Sequence, residues 1–236
     1  PRAVAAAQGA LARMHHYPDG GSRALRTRLA ALHGVSLESI VVGNGSDELI
    51  GLIVQAFVRP GDVAVVAEPS FVCYRIHVEA HGASAIAVPL TEWRHDGRAL
   101  ARAVTPETTV LFVNNPNNPT GTVMPKGEFE ALLSALPRRL IVVADEAYSE
   151  FARPGTTFSG ADYIRSEGPW VVSLRTTSKA YGCAGFRVGW GVMHPEIASV
   201  LNRLRLPYNV GSVAQAAALA AIEDEEHLAA TLRFVW

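Results

Sequence analysis

Residues 140–148 read LIVVADEAY, in which five apolar residues run directly into an acidic pair. An unbroken apolar run rich in β-branched residues is typical of a strand that is covered on both faces. Such strands occur in parallel sheets that lie between two layers of helices. The stretch therefore predicts an α/β fold and places Asp145 at the carboxyl end of a central strand.

Short β-branched runs alternate with longer helical patterns on both sides of this stretch, which predicts a mainly parallel seven-stranded sheet between helix layers. The predicted strands are Ile40 to Gly43, Val63 to Ala67, Ala85 to Val88, Val110 to Val113, Leu140 to Ala144, Val171 to Leu174 and Val188 to Val192. The predicted helices are Pro1 to Met14, Ser22 to His33, Asp47 to Phe57, Phe71 to His81, Pro125 to Leu136, Pro195 to Leu204 and Val213 to the end.

The domain organisation follows from the lack of any repeat, low-complexity stretch or linker in the sequence. We predict one domain over residues 1–236. Its helical segments at about 1–35 and 205–236 are expected to border an N-terminal arm and a C-terminal small domain that are missing from this chain.

Composition excludes several classes of partner. The 21 basic and 22 acidic residues give a formal net charge of -1, so no overall field attracts nucleic acid or an anionic membrane. The two cysteines, Cys73 and Cys183, form no disulfide framework or zinc motif, and we predict no metal site. Because free cysteines are typical of a reducing compartment, and because no apolar run reaches the roughly 18 residues that span a membrane, we predict a cytoplasmic location.

A strand, a glycine-bearing turn and an amphipathic helix follow one another in IVVGNGSDELIGLIVQAF, residues 40–57. Ser46 and Asp47 are predicted to be the N-cap and first-turn residues of this helix. The backbone N–H groups at such a helix start converge on one point and favour an anion there. The pattern predicts a phosphate cup, and the alternative is an ordinary capped helix. The glycines match neither the dinucleotide nor the nucleoside triphosphate fingerprint.

The sequence NNPNNPTG, Asn114 to Gly121, follows a predicted buried strand and is too polar and proline-rich to continue it. We place it in a loop at the carboxyl end of the strand, where the ligand crevices of such sheets open. Asparagine and proline are also ordinary turn residues, so spacing alone leaves both interpretations open.

Asp145 has hydrophobic residues directly before it, which predicts a partly buried carboxylate. A carboxylate in such a place requires a cation or several hydrogen-bond donors, or it takes up a proton. We therefore expect a positive group opposite Asp145. The alternative is that Asp145 caps the short turn from Glu146 to Phe151.

The chain contains two lysines, Lys126 and Lys179. Lys126 lies at the polar start of a predicted helix, where a solvated side chain is expected. Lys179 lies in LRTTSKAYGCAGFRVGW, between two predicted strands. A nucleophilic amine has to be partly desolvated or near a cation, and Lys179 is predicted to meet this condition, unless it is simply a structural lysine in a loop. Nearby donors for the same phosphate are Thr176, Ser178 and Arg187.

Four segments, SDE, NNPNNPTG, DEAY and RTTSKAYGCAGFRVGW, occur in this order. Together they resemble the fold-type-I pyridoxal-phosphate aminotransferases, and most closely the histidinol-phosphate aminotransferase group. The resemblance extends from about Arg2 to the end of the chain. It implies that residues 1–236 form the large, cofactor-binding domain of such an enzyme.

The resemblance implies a role for each central group. Lys179 would form the internal aldimine with pyridoxal phosphate and carry the proton between the substrate Cα and the cofactor. Asp145 would pair with the pyridinium nitrogen, so that the ring acts as an electron sink. Asn118 and Tyr148 would hydrogen-bond the phenolic oxygen, and Phe71 would stack on the ring.

The phosphate site and the assembly are implied in the same way. Residues at the helix start and in the lysine segment would hold the phosphate: Gly45, Ser46, Asp47, Thr176, Ser178 and Arg187. Tyr17, in HYPDGG, would reach the phosphate of the neighbouring subunit in a homodimer.

The predicted activity is transamination between an amino donor and a 2-oxo acid, with histidinol phosphate and 2-oxoglutarate as the first pair by resemblance. The enzymatic alternatives are an aromatic amino-acid aminotransferase and a phosphothreonine-type decarboxylase. A non-catalytic pyridoxal-phosphate-binding or regulatory module, or an inert enzyme fragment, is the alternative of another class. Against that alternative, a site without turnover has no chemical need for Lys179, Asp145, Tyr148, Asn118 and Arg187 together.

Overall fold

One sheet of seven strands forms the centre of the computed structural model, which describes residues 1–164 and 167–236. The strands are β1 (Ile40–Gly43), β2 (Val63–Glu68), β3 (Ser84–Pro89), β4 (Thr108–Asn114), β5 (Ile141–Asp145), β6 (Trp170–Thr176) and β7 (Gly189–Met193). Each predicted strand is confirmed to within two residues at either end. The β-branched apolar runs therefore located the sheet correctly.

The strands lie in the order β1-β7-β6-β5-β4-β2-β3. Pairing is parallel from β3 to β6, whereas β7 runs antiparallel to both β6 and β1. At the carboxyl ends of the central strands, the register aligns Asn114 with Asp145 and Asp145 with Leu174. Because β7 is reversed, its first residue, Gly189, pairs with Gly43 and Thr176 at the carboxyl ends of their strands.

The α-helices of the described residues surround this sheet. They are α1 (Arg2–Leu11), α2 (Arg23–His33), α3 (Gly45–Phe57), α4 (Cys73–Ala80), α5 (Gly97–Ala103), α6 (Lys126–Ala135), α7 (Pro195–Leu204), α8 (Ser212–Ile222) and α9 (Glu225–Val235).

Both faces of the sheet are packed against helices, which confirms the layered architecture. Consecutive residues of β5 enter different cores: Val143 packs with α3, α4 and α7, and Val142 packs with α5 and α6. A third core joins α1, α2 and α8 to β1 and β7 around the fully buried Trp190. Side chains alternate between the two faces of a strand, so an apolar run with no polar residue is buried on both.

One helix prediction was wrong, and one helix was not predicted. The segment Val213 to the end forms two helices, because the side chain of Asp224 accepts a hydrogen bond from the His227 N–H and caps a new helix there. Helix α5, a seven-residue helix in GRALARA that begins after Asp96, was not predicted. The Asp96 carboxylate accepts a hydrogen bond from the Ala99 N–H, and such short capped helices carry little periodic signal.

The starts of two helices differ from the prediction in a way that matters for the site. Helix α3 begins at Gly45, with Asn44 as its N-cap, so Ser46 lies inside the first turn and is not the cap. Helix α4 begins at Cys73, which leaves Phe71 in the segment between β2 and α4. Within the ranges that the structure describes, no helix is both long and apolar enough to span a membrane.

Candidate functional site

A cavity opens at the carboxyl ends of the parallel strands. It is lined by Ser46, Asp47, Phe71, Asn114, Asn118, Asp145, Ala147, Tyr148, Thr176, Ser178, Lys179 and Arg187. Ten of the twelve residues predicted for the site are therefore in its wall, and the two others are Gly45 and Tyr17. The strand order brings these segments together, since Phe71 follows β2, Asn118 follows β4, and Asp145 ends β5.

The first turn of α3 forms one end of the cavity. The N–H groups of this turn have no carbonyl one turn earlier to bind, so they are free to hold an anion. Strand β7 passes directly beside it: a Cβ on Gly189 would lie 2.2 Å from the Ser46 nitrogen. A glycine is therefore required at this crossing of β7 and the α3 turn. Gly45 adopts φ +79°, and a Cβ there would lie 2.6 Å from Nη2 of Arg187.

Hydroxyl and guanidinium groups face the same turn. The Thr176 hydroxyl lies 2.9 Å from Ser178 Oγ and 2.9 Å from the Val188 carbonyl oxygen. Arg187 donates from Nη1 to the Ala184 carbonyl at 3.0 Å and to Ser178 Oγ at 3.4 Å. The backbone of Arg187 is left-handed, with φ +55°. These donors, with the free N–H groups of α3, form a set that suits a phosphate group.

The Asp47 side chain contacts α4. Its Oδ1 lies 3.2 Å from His77 Nε2 on that helix. The hydrogen bond with His77 is the largest influence on the pKa of Asp47 and lowers it, so the carboxylate stays ionised. The ionised Asp47 side chain would repel a bound anion. Asp47 can therefore hold a phosphate only through its backbone N–H.

Asp145 is buried at the end of β5 and receives two hydrogen bonds. The Tyr74 hydroxyl donates to Oδ2 at 2.6 Å, and the Ala147 N–H donates to Oδ1 at 3.1 Å. Burial raises the pKa of Asp145, while these two bonds and the charge of Lys179 act to lower it. The hydrogen-bond donors that we expected are therefore present, and the charge of Lys179, which lines the same cavity, acts on Asp145. The capping alternative was wrong, because the short helix in this turn begins at Ser149 with Tyr148 as its N-cap, and the Ala147 bond lies before it.

Lys179 lines the cavity but is exposed, so the expectation of a partly desolvated amine was wrong for this structure. It lies in the loop that follows β6, at the open side of the cavity. Its Nζ stands 4.9 Å from the centre of the Tyr148 ring. Lys126 is solvated as predicted, and its Nζ lies 3.8 Å from Glu130 Oε1.

The NNPNNPTG loop is anchored to the end of β5 through its first residue. Asn114 Oδ1 accepts a hydrogen bond from the Asn118 N–H at 2.6 Å, and Asn114 Nδ2 donates to the Asp145 carbonyl at 3.3 Å. These bonds hold Asn118 against the cavity. The turn interpretation and the site interpretation of this motif are thus compatible.

Three residues of the site were not predicted: Tyr74, Asn114 and Ala147. Tyr74 is an apolar-face residue in the sequence pattern of α4, and only its contact with Asp145 gives it a role. Asn114 could have been found, because it ends the strand next to β5 and parallel strands end at one edge. Ala147 contributes a backbone N–H, for which no residue-type signal exists.

Tyr17 lies away from this cavity in its own chain. It is 83% exposed and stacks on Tyr208, with 4.9 Å between the ring centres. Its assignment to a neighbouring subunit's site remains a prediction. Across residues 1–164 and 167–236, no group of three His, Cys, Asp or Glu side chains is placed to hold a metal ion.

Comparison with known proteins agrees with this geometry. Residues 1–234 match the protein family described as "Aminotransferase class I and II". Histidinol-phosphate aminotransferase of Moorella thermoacetica is 44% identical over 228 residues, which cover 97% of this chain and 59% of that protein. The protein of the same name from Symbiobacterium thermophilum is 46% identical over 231 residues, covering 98% and 63%. The chain thus spans about three fifths of the length of these relatives.

Solved structures show the same fold. Histidinol-phosphate aminotransferase from Sinorhizobium meliloti, in complex with pyridoxal-5'-phosphate, superposes with a TM-score of 0.93 at 31% identity, covering 99% of this chain and 63% of that chain. Aspartate aminotransferase from Thermus thermophilus with maleate gives a TM-score of 0.85 at 27% identity, covering 99% and 64%. These matches confirm the predicted resemblance, and the chain belongs to the aminotransferase class I and II family.

Proposed function

We propose that this chain is the cofactor-binding part of a pyridoxal-phosphate-dependent aminotransferase, which moves an amino group from a donor to a 2-oxo acid. One observation carries the proposal: Lys179, the buried Asp145 and the first turn of α3 line a single cavity. An amine, an acid and an anion cradle are the three groups that this cofactor needs for its aldehyde, its ring nitrogen and its phosphate.

The residues of the cavity fit the phosphate of this cofactor. The free N–H groups of Ser46 and Asp47, the hydroxyls of Thr176 and Ser178, and the Arg187 guanidinium are all donors. They converge where Gly189 allows β7 to approach α3. When bound, the cofactor supplies an electron sink for the bond broken at the substrate Cα.

Lys179 would hold the cofactor covalently and then move the proton at the substrate Cα. An exposed amine at the open side of the cavity can be reached by both the cofactor and the substrate. Tyr148 supports this role, because its ring lies beside Nζ and its hydroxyl can donate toward the cofactor's phenolic oxygen together with Asn118.

Asp145 would hold a proton on the ring nitrogen of the cofactor. The bonds from Tyr74 and Ala147 each occupy a different carboxylate oxygen and fix the plane of the group. They also favour its ionised form against the effect of burial. Ionised Asp145 is the form that attracts and retains a proton on the nitrogen opposite.

The proposed substrate pair is histidinol phosphate with 2-oxoglutarate, and its support is the name of the relatives at 44% and 46% identity. The alternative is aromatic amino-acid transamination, since the side chains that select the donor need not lie in this chain, which spans about three fifths of its relatives. A phosphothreonine-type decarboxylase is a third candidate. A non-catalytic binding module remains the alternative of another class.

We also propose a cytoplasmic homodimer in which Tyr17 contributes to the neighbouring subunit's site. Tyr17 supports this because its ring is largely exposed and its partner Tyr208 is exposed as well. Cys73 and Cys183 are free thiols, and free thiols are typical of a reducing compartment.

The test is a titration of the purified chain with pyridoxal phosphate, followed by visible absorbance. We expect absorbance from the lysine-bound cofactor, and a change when histidinol phosphate is added but a weaker one with phenylalanine. A stronger response to phenylalanine would favour the aromatic alternative. Absorbance that no amino donor changes would favour the binding module, and a chain that takes up no cofactor would contradict the proposal.

A further inference from the structure

The side-chain amide of Asn117 is buried next to the cavity, and all of its hydrogen-bonding groups have partners. Its Oδ1 accepts from Ser70 Oγ at 2.8 Å and from His95 Nε2 at 3.1 Å. Its Nδ2 donates to the Pro69 carbonyl at 3.1 Å and to Thr120 Oγ1 at 2.9 Å. An amide has two acceptor positions and two donor hydrogens, so this group is fully used.

This amide joins two segments that line the cavity. Pro69 and Ser70 lie directly before Phe71, and Asn117 lies directly before Asn118. Phe71 and Asn118 are both in the cavity wall, whereas Asn117 is not. The positions of these two wall residues therefore depend on one buried hydrogen-bonded group behind them.

The network requires a hydrogen on one particular nitrogen of His95. Asn117 Oδ1 can only accept, so Nε2 of His95 has to carry the hydrogen. Nδ1 is buried and has no hydrogen-bond partner among the described residues. Burial lowers the pKa of His95, which agrees with a neutral ring that uses one nitrogen as a donor.

We propose that His95 is a positioning residue for the cofactor site: it fixes the Asn117 amide and, through it, the segments that carry Phe71 and Asn118. The inference rests on the proposed function, because Phe71 and Asn118 are assigned there to the cofactor's ring and phenolic oxygen. His95 lies on the segment between β3 and α5 and does not line the cavity, so it acts only through Asn117.

A buried imidazole with one unpartnered nitrogen is costly, and its presence here is explained by the donor that it supplies. Leucine at position 95 would keep the volume and remove the donor, which leaves Asn117 Oδ1 with the Ser70 hydroxyl alone. Glutamine would return an N–H donor at similar reach. The pair His95→Leu and His95→Gln therefore separates loss of the hydrogen bond from loss of packing.

The experiment measures the dissociation constant of pyridoxal phosphate for the full chain by absorbance titration. A buried hydrogen bond contributes roughly a factor of ten, so we expect His95→Leu to weaken binding about tenfold and His95→Gln to restore it to within about threefold. The visible absorbance of the bound cofactor changes with pH, and we expect the midpoint of that change to rise in His95→Leu. The reason is that a displaced Asn118 would stabilise the ionised phenolic oxygen of the cofactor less well.

Three further variants make the result decisive. Arg98→Gln changes an exposed side chain on α5 and should leave cofactor binding unchanged. Leu201→Ala shortens a buried side chain of α7 and should lower stability without moving the pH midpoint of the absorbance. Ser70→Ala removes the other donor to Asn117 Oδ1 and should weaken cofactor binding about threefold. This variant tests the same amide if His95→Leu does not fold. Equal binding by wild type and His95→Leu, or no rescue by His95→Gln, would overturn the inference. If the wild-type chain itself binds no cofactor, the proposed function fails first.

Discussion

The Tyr74 hydroxyl donates a hydrogen bond of 2.6 Å to Oδ2 of Asp145, although the two residues are 71 positions apart in the chain. The Tyr74 ring also stacks on Phe112, with centres 4.6 Å apart, and meets the edge of Phe71 at 5.4 Å. One fully buried side chain thus contacts both the carboxylate and the aromatic residue that we assign to the cofactor ring.

Replacing Tyr74 by phenylalanine should keep this packing and remove the donor to Asp145. The pKa of Asp145 should then rise, because the Tyr74 bond is one of the influences that lower it. A hydrogen bond to a charged group is worth about 1.5 to 3 kcal/mol, so kcat/KM should fall roughly tenfold to a hundredfold. The acid limb of its pH profile should move to higher pH. An unchanged profile would show that Asp145 does not depend on Tyr74.

Replacing Lys179 by alanine should abolish the visible absorbance of bound cofactor and lower the transamination rate by at least about a thousandfold. The Lys179 side chain is exposed, so the thermal unfolding temperature should change little. Lys126→Ala is the matched control, since Lys126 is the only other lysine and forms a surface ion pair with Glu130. Its activity should equal that of the wild type, and full activity in Lys179→Ala would rule out the assigned role.

Replacing Gly189 by alanine should disrupt the phosphate site that we propose at the start of α3. The new Cβ would lie 2.2 Å from the Ser46 nitrogen, so either β7 or the first turn of α3 has to move. We expect destabilisation by about 1 to 3 kcal/mol, with a marked loss of cofactor affinity. In the control Gly127→Ala, on α6, nothing lies within 4 Å of the new Cβ. The control should bind cofactor normally and be slightly more stable, and equal behaviour of the two variants would contradict the packing argument.

Stability should depend on pH through His33, which accepts a 3.0 Å hydrogen bond from Trp190 Nε1. Burial is the largest cause that lowers the pKa of His33 from 6.5 to about 4. Between these values the unfolded chain binds more protons than the folded one. The free energy of unfolding should therefore fall by about 1 to 3 kcal/mol as pH drops through this range.

Denaturant unfolding at a series of pH values checks this contribution. His33→Gln offers an acceptor to Trp190 but cannot take up a proton, so its stability should vary less with pH over the same range. If wild type and variant lose stability in parallel, the pH dependence has another source.

Local patterns were enough for the sheet and for most of the site residues. A strand such as β5 is recognisable because its own residues are β-branched and apolar, and the end of that strand places Asp145 without knowledge of the rest of the chain. The donors of the first turn of α3 lie next to one another in the sequence, and so do those of the Lys179 segment. Such features depend on neighbours a few residues away.

Other features depended on groups that are distant in the sequence. The partner of Asp145 on α4, the His95 donor to Asn117 and the reversal of β7 that brings Arg187 to the site edge were not predictable from the motifs. The exposure of Lys179 and the helix break at Asp224 also escaped the sequence patterns. Amino-acid sequence by itself determined which segments form strands and which residue types end them. Tertiary structure alone decided which of those groups meet, because hydrogen bonds and burial depend on positions in space that strand order and helix packing impose.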